Sequence, residues 1–184
     1  MELNIEYIFI LCVLYINDIG DDLMNNHMDI PWHEYTNKDS KVKIENASLT
    51  EKSSVIGRIG LMLLACGTGA WRVRSSMNTI ASELNITCIA DIGLTNISYT
   101  CIDGIDSHAQ SLSLHNTSVN TSKLARMEDF VYHFKDECKT CTCNEIHNQL
   151  DEIESIHSSY SPIILGLAAA LACSCFTFLL GGGP

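Results

Sequence analysis

An α+β domain followed by one transmembrane α-helix is the fold class that the sequence predicts. Three observations carry it. Between Ile56 and Leu84 apolar residues recur at alternating steps of three and four, which is helical periodicity. Between Thr87 and His115 three short runs have strand character, with apolar residues two apart. From Ile163 to Leu180 no residue is charged, over a length close to that of a bilayer core.

Residues 1–47 read as a lead-in. Tyr7 to Ile16, "YIFILCVLYI", is short for a membrane helix and about right for a signal core. A signal has a positive leading region, whereas Glu2 and Glu6 make this one negative, and no small-residue cleavage pattern follows. A second reading starts translation at Met24 or Met28 and leaves the upstream part non-native. Met24 to Ser48 is polar, carries Pro31 and Trp32, and reads as loose.

Ser48-x-x-Glu51 is a capping box, in which each side chain satisfies a free backbone N–H at a helix start. Ile56, Ile59, Leu63, Cys66, Ala70, Val73, Met77, Ile80 and Leu84 then form an a/d seam. The expectation is one long helix from about Thr50 to Leu84. "TCIADI" (Thr87 to Ile92), "NISYTCI" (Asn96 to Ile102) and "AQSLSLH" (Ala109 to His115) follow, punctuated by Gly93 and Asp103-Gly104. They predict a small antiparallel sheet with Ile97, Tyr99 and Cys101 on one face, and Leu112 and Leu114 sharing a face of the third strand.

Two further helices come next. Asn120, Thr121 or Ser122 caps the first, which carries Leu124, Met127, Phe130, Val131 and Phe134 on one side. Thr142-x-x-Glu145 is a second capping box, opening a helix with Ile146, Leu150 and Ile153 inward. Asp151, Glu152 and Glu154 read as its solvated surface. Ser161 and Pro162 start the transmembrane helix, and Gly181 to Gly183 stop it. Within it Gly166, Ala170, Cys173 and Thr177 make a stripe of small residues suited to close helix packing. Lys139 is too far upstream for flanking charge to set an orientation.

Eleven basic residues against 22 acidic ones give a net charge of -11, which argues against a nucleic-acid partner. Nine cysteines fit either a disulfide framework or reduced thiols. Asn-x-Ser/Thr sequons at Asn46, Asn85, Asn96, Asn116 and Asn120 agree superficially with secretion, but a chain this rich in Asn, Ser and Thr produces them by chance.

Cys138, Cys141 and Cys143, with His133 and His147 nearby, resemble half a metal site. No second Cys-x-x-Cys completes it, so the cluster reads as a Cys-rich turn and neither metal nor cofactor is assigned. No Gly-x-Ser-x-Gly elbow is present and spacing pairs no nucleophile with a base; His108 and His115 only flank the third strand. No residue is assigned as catalytic, and the chain reads as a non-enzyme.

The strongest candidate is "GTGAWRVRSSM", Gly67 to Met77. It lacks the third glycine of a dinucleotide loop and the Gly-Lys-Ser/Thr of a phosphate loop. Gly57, Gly60, Gly67 and Gly69 would lie within the long helix, each destabilising it by about 1 kcal/mol relative to Ala. Such glycines imply a close neighbouring backbone or a bend. Arg72 and Arg74 either bind an anion or pair with acids of the chain. Gly67, Gly69, Arg72 and Arg74 are the candidates for substrate binding or assembly.

The sequence resembles the N-terminal domain of the threonine/serine exporter family. The resemblance rests on "GRIGLMLLACGTGAWRVRSSMNTIASEL" (Gly57 to Leu84), "CIADIGLTNISYTC" (Cys88 to Cys101), "VNTSKLARMEDF" (Val119 to Phe130) and "YSPIILGLAAALACSCFTFLLGGGP" (Tyr160 to Pro184). It places Arg72-Val73 in a family signature. It implies a secondary exporter of the inner (plasma) membrane, driven by an ion gradient, with a cytoplasmic domain over 48–159 and a membrane part from 160. Family substrates are threonine and serine, and small dicarboxylates for some relatives.

The family continues with several more spans, so the expectation is a truncated member ending after its first transmembrane helix, residues 160–184. Such a chain would not transport alone. Its partners would be the membrane, further transmembrane helices or a second exporter subunit, and a small amino or carboxylic acid as substrate. One alternative is a single-span membrane-anchored binding domain, disulfide-bonded and extracytoplasmic. Another is a tail-anchored Cys-metal protein.

Overall fold

The computed structural model describes residues 30–36, 41–114, 117, 119–156, 162–179 and 181. The apolar run Tyr7 to Ile16, the alternative starts Met24 and Met28, His115 and Ser161 lie outside the described residues. The chain divides into two units: His27–His157, and a second that holds the apolar C-terminal helix.

The first helix, α1 (Leu49–Ala65), starts where the capping box requires. Ser48 Oγ accepts from the Glu51 N–H, and the Glu51 carboxylate accepts from the Ser48 N–H at 3.0 Å. The helix does not run on to Leu84. It ends at Ala65, and a second helix, α2 (Ala70–Glu83), turns back against it. This corrects the single long helix. Gly67 reverses the chain with φ +75°, a conformation glycine adopts without the clash a Cβ would cause. Gly69 is the N-cap of α2.

The seam survives the break because both helices keep an apolar stripe, and each stripe reaches the core. Ile56, Ile59, Leu63, Val73, Met77, Ile80 and Leu84 are fully buried, while Ala70 at the turn is exposed. Gly60 lets the two helices approach, since a Cβ there would press on Met77 Sδ. Lys52, near the start of α1, donates from its buried ammonium to the Leu84 carbonyl at the end of α2 (3.3 Å).

Strands β1 (Thr87–Ile92), β2 (Asn96–Asp103) and β3 (Asp106–Ser113) form the predicted antiparallel sheet, in the order β1-β2-β3, with β3 starting three residues before the expected Ala109. Leu94-Thr95 and Gly104-Ile105 are its two hairpin turns. One face bears Cys88, Ala90, Ile97, Tyr99, Cys101 and Leu112 into the core against α1 and α2. The other carries polar residues such as Ser98 and Ser111, whose hydroxyls pair at 3.0 Å. Tyr99 reaches under α1 and donates to the Ser53 carbonyl (3.0 Å). Gly57 is required there, because a Cβ would overlap the phenol ring and hydroxyl.

Helix α3 (Thr121–Glu137) is capped by Asn120, whose side chain accepts from the Lys123 N–H, and buries Met127 and Phe134. Helix α4 (Cys143–Glu154) opens on the Thr142–Glu145 capping box and buries Ile146, Leu150 and Ile153. Upstream, a 3-10 turn Trp32–Tyr35 packs on α1 and α4. Lys43 bridges Thr142, and the Ile44 N–H donates to the Cys141 carbonyl (2.8 Å).

In the second unit, α5 (Pro162–Leu179) is uncharged along its length. Among the described residues no helix is long and apolar enough to cross a membrane, which corrects the predicted transmembrane helix. Eighteen residues at about 1.5 Å each reach about 27 Å, short of a hydrocarbon core about 30 Å thick. Gly166, Ser174 and Thr177 dilute the run, and both hydroxyls bond back to carbonyls four residues earlier.

Candidate functional site

The structure separates the sequence-predicted residues. Gly67 and Gly69 form the turn between α1 and α2. Arg72 and Arg74 lie on α2 but do not converge. Arg72 Nη1 reaches across to Glu128 on α3 at 2.8 Å, with its guanidinium 5.4 Å from the exposed Trp71 ring. Arg74 Nε donates to the Ala90 carbonyl at 3.0 Å. Ala90 sits opposite Tyr99 in a non-hydrogen-bonded pair, so its carbonyl faces away from β2, and Arg74 fills an open sheet edge. Both arginines pair within the chain.

The cysteine cluster does not converge either. Cys138 donates to Gln149 Oε1, Cys141 to the Glu137 carbonyl, and Cys143 to the Glu51 carbonyl. Burial pushes the Cys138 and Cys143 thiols up to about 12, so they stay protonated. Among the described residues no group of three His, Cys, Asp or Glu side chains could hold a metal ion.

A different cluster dominates the electrostatics. Arg58, in the middle of α1, is 2 % exposed. Its Nη2 donates to Asp151 Oδ1 at 2.5 Å and to Glu154 Oε2 at 2.6 Å, and its Nη1 donates to the His147 carbonyl at 3.0 Å. Nε has no protein partner. Asp151 and Glu154, read from the sequence as solvated, also neutralise a buried guanidinium; Asp151 and Glu152 are exposed as that reading expects, and Glu154 is half-buried. The local reason is the spacing of α4: His147, Asp151 and Glu154 are four and three apart, one stripe that faces α1.

His147 is fully buried beside Arg58. A guanidinium only donates, so the Nδ1 that faces Arg58 Nη1 at 3.4 Å is the acceptor and the ring proton sits on Nε2. That N–H donates to Ser54 Oγ at 3.1 Å, and Ser54 donates to the Glu51 carbonyl at 2.8 Å. Burial, reinforced by the positive charge of Arg58, pushes the His147 pKa down to about 3. Burial alone would raise the Asp151 carboxyl, but the hydrogen bonds and charges of Arg58 and His33 outweigh it and hold that carboxyl below its usual value.

The lead-in closes this cluster. Trp32 stacks on His147 with centroids 6.2 Å apart and lies 6.0 Å from the Arg58 guanidinium. His33 Nε2 meets Asp151 Oδ2 at 2.8 Å, and His33 Nδ1 meets Asn144 Oδ1 at 3.1 Å. The arrangement is an internal charge lock: it fixes the turn Trp32–Tyr35, α1 and α4 to one another. Sequence reasoning missed it. The available signals were an arginine flanked by Gly57 and Ile59 inside an apolar helix, and the His147, Asp151, Glu154 stripe.

No curated protein and no solved structure matches the chain. A family model described as "Putative threonine/serine exporter" matches residues 54–184. The match takes in α1 from Ser54 onward, α2, the sheet, α3, α4 and α5, and starts after the turn Trp32–Tyr35. It covers well over half of the chain, and the protein therefore belongs to the threonine/serine exporter family.

Proposed function

We propose that the unit His27–His157 is the assembly and regulatory domain of an exporter for threonine, serine or a related small amino or carboxylic acid. Membership of the family brings membrane association and a small-molecule substrate with it. The observation that supports the assignment within the protein is the commitment of its cations. Arg58 and Arg72 face carboxylates and Arg74 a carbonyl, so they hold elements together instead of presenting charge to a substrate.

The construction of the unit supports the same division of labour. Only helices and closed barrels satisfy their backbone within lipid. This unit has a three-stranded open sheet with one polar face and a charged cluster inside. The substrate path of a secondary transporter lies between several spanning helices. In this reading a second exporter subunit, or further transmembrane helices, supplies that path. The unit acts from the cytoplasmic side, and the chain does not transport alone.

Efflux of preloaded threonine and serine tests this, measured from cells carrying the complete locus with and without this chain. The expected result is loss of efflux without it, and no efflux from the chain alone. Equal efflux in both strains overturns the proposal. Protease accessibility in vesicles of opposite orientation tests the cytoplasmic placement.

A further inference from the structure

Cys88 and Cys101 are directly opposed on β1 and β2. The kind of pair follows from the turn. The Gly93 N–H donates to the Asn96 carbonyl, so Gly93 and Asn96 are a hydrogen-bonded pair. Pair types alternate outward along the hairpin. Ile92 with Ile97, Ala90 with Tyr99, and Cys88 with Cys101 are therefore non-hydrogen-bonded pairs. At such positions the Cα atoms are about 4.5 Å apart and the side chains closest, within the span a disulfide bridges. Both side chains point to the same buried face from directly opposed positions.

We propose that Cys88 and Cys101 are a peroxide-oxidisable dithiol whose disulfide staples β1 to β2. Cys101 is the attacking sulfur. The neighbouring Cys88 thiol, helped by Ser53 and opposed by burial, holds the Cys101 thiol below its ordinary pKa. Attack on hydrogen peroxide breaks the O–O bond, leaves Cys101 as a sulfenic acid and releases hydroxide. The Cys88 sulfur then attacks the sulfenic sulfur, forming the S–S bond and expelling the hydroxyl as water. In sum two thiols and one peroxide become one disulfide and two waters. Hydrogen peroxide is small enough to enter where a protein oxidant is not. The entry side is β1, an edge strand whose Cys88 is 8 % exposed.

Peptide mapping of the full chain tests the proposal. After peroxide treatment free thiols are alkylated under denaturing conditions, and the chain is cleaved after Lys and Arg and before Asp. Cys88 then lies in Ser75–Ala90 and Cys101 in Asp91–Ile102, separate peptides unless bridged. The expected result is a reducible Ser75–Ala90/Asp91–Ile102 pair and loss of alkylation at both sites. Alkylation of both cysteines, or linkage of either to another cysteine, overturns the proposal. Cys88→Ser is expected to leave a sulfenic acid on Cys101 that a dimedone probe labels. Labelling of Cys88 in Cys101→Ser, with none in Cys88→Ser, overturns the assigned order of attack. The mapping uses the unaltered chain, so it stands even where a variant fails to fold.

Discussion

Arg58 and Asp151 meet at 2.5 Å across α1 and α4, although the arginine side chain is almost wholly buried and the carboxylate about half exposed. The contact converts a charge that burial would reject into a tie between two helices. Removing one partner of a buried pair leaves the other uncompensated. Arg58→Ala is expected to destabilise the unit by about 3–5 kcal/mol. Urea unfolding measures it, with emission from Trp32 reporting release from its stack on His147. Arg58→Met, which fills the same space without charge, should lose clearly less. Equal losses would show that charge alone, with no part for the volume of the side chain, holds the contact.

His147 makes stability pH-dependent in a stated direction. Its pKa is about 3 when folded, against an ordinary 6.5. Below 6.5 the unfolded chain takes up a proton that the folded chain refuses until near 3. Stability is therefore lost as pH falls through that window, by up to about 1.4 kcal/mol per unit. Asp151, held below its usual value, adds a loss of the same sign at the acid end. Urea midpoints measured from pH 7 to pH 4 should fall steadily. In His147→Asn the fall between pH 6.5 and 5 should flatten.

The glycines predict a graded series. Gly67→Ala places a Cβ at φ +75° and should lose about 1–2 kcal/mol. Gly57→Ala drives a methyl into the Tyr99 ring and hydroxyl, a rigid neighbour, and should lose about 1–3 kcal/mol. Gly60→Ala meets the flexible Met77 side chain and should lose less than Gly57→Ala. Thermal unfolding ranks them; a reversed order of Gly57 and Gly60 would refute the packing argument.

Arg72 and Arg126 give a matched comparison. Arg72 joins α2 to α3 through Glu128, whereas Arg126 pairs with Asp129 within one helix at 3.6 Å. Both pairs are exposed, so each substitution by Ala should change stability by less than about 1 kcal/mol. Arg72→Ala is expected to reduce threonine and serine efflux of the complete locus more than Arg126→Ala. Indistinguishable, negligible effects would remove Arg72 from the assembly role.

Much of the fold was legible because it is decided locally. Both capping boxes start helices where their Ser/Thr-x-x-Glu spacing says, and the three strand runs pair in chain order. The candidate site was less legible. An a/d seam records which residues are apolar, not whether the helix is continuous, so it read through Gly67. Asp151 and Glu154 looked solvated because sequence shows that a side chain is charged but not which cation faces it.

By itself the sequence determined where the two capping boxes start α1 and α4, that three strand runs follow α2, which apolar residues are buried, and the family to which residues 54–184 belong. Those features depend on neighbours a few residues apart. Tertiary structure alone decided that Gly67 folds the seam into a hairpin, that Arg58 is neutralised from 93 and 96 residues away, and that Cys88 meets Cys101. The reason is physical: a buried charge or thiol takes its properties from whatever packs against it, and that partner is chosen by the whole fold.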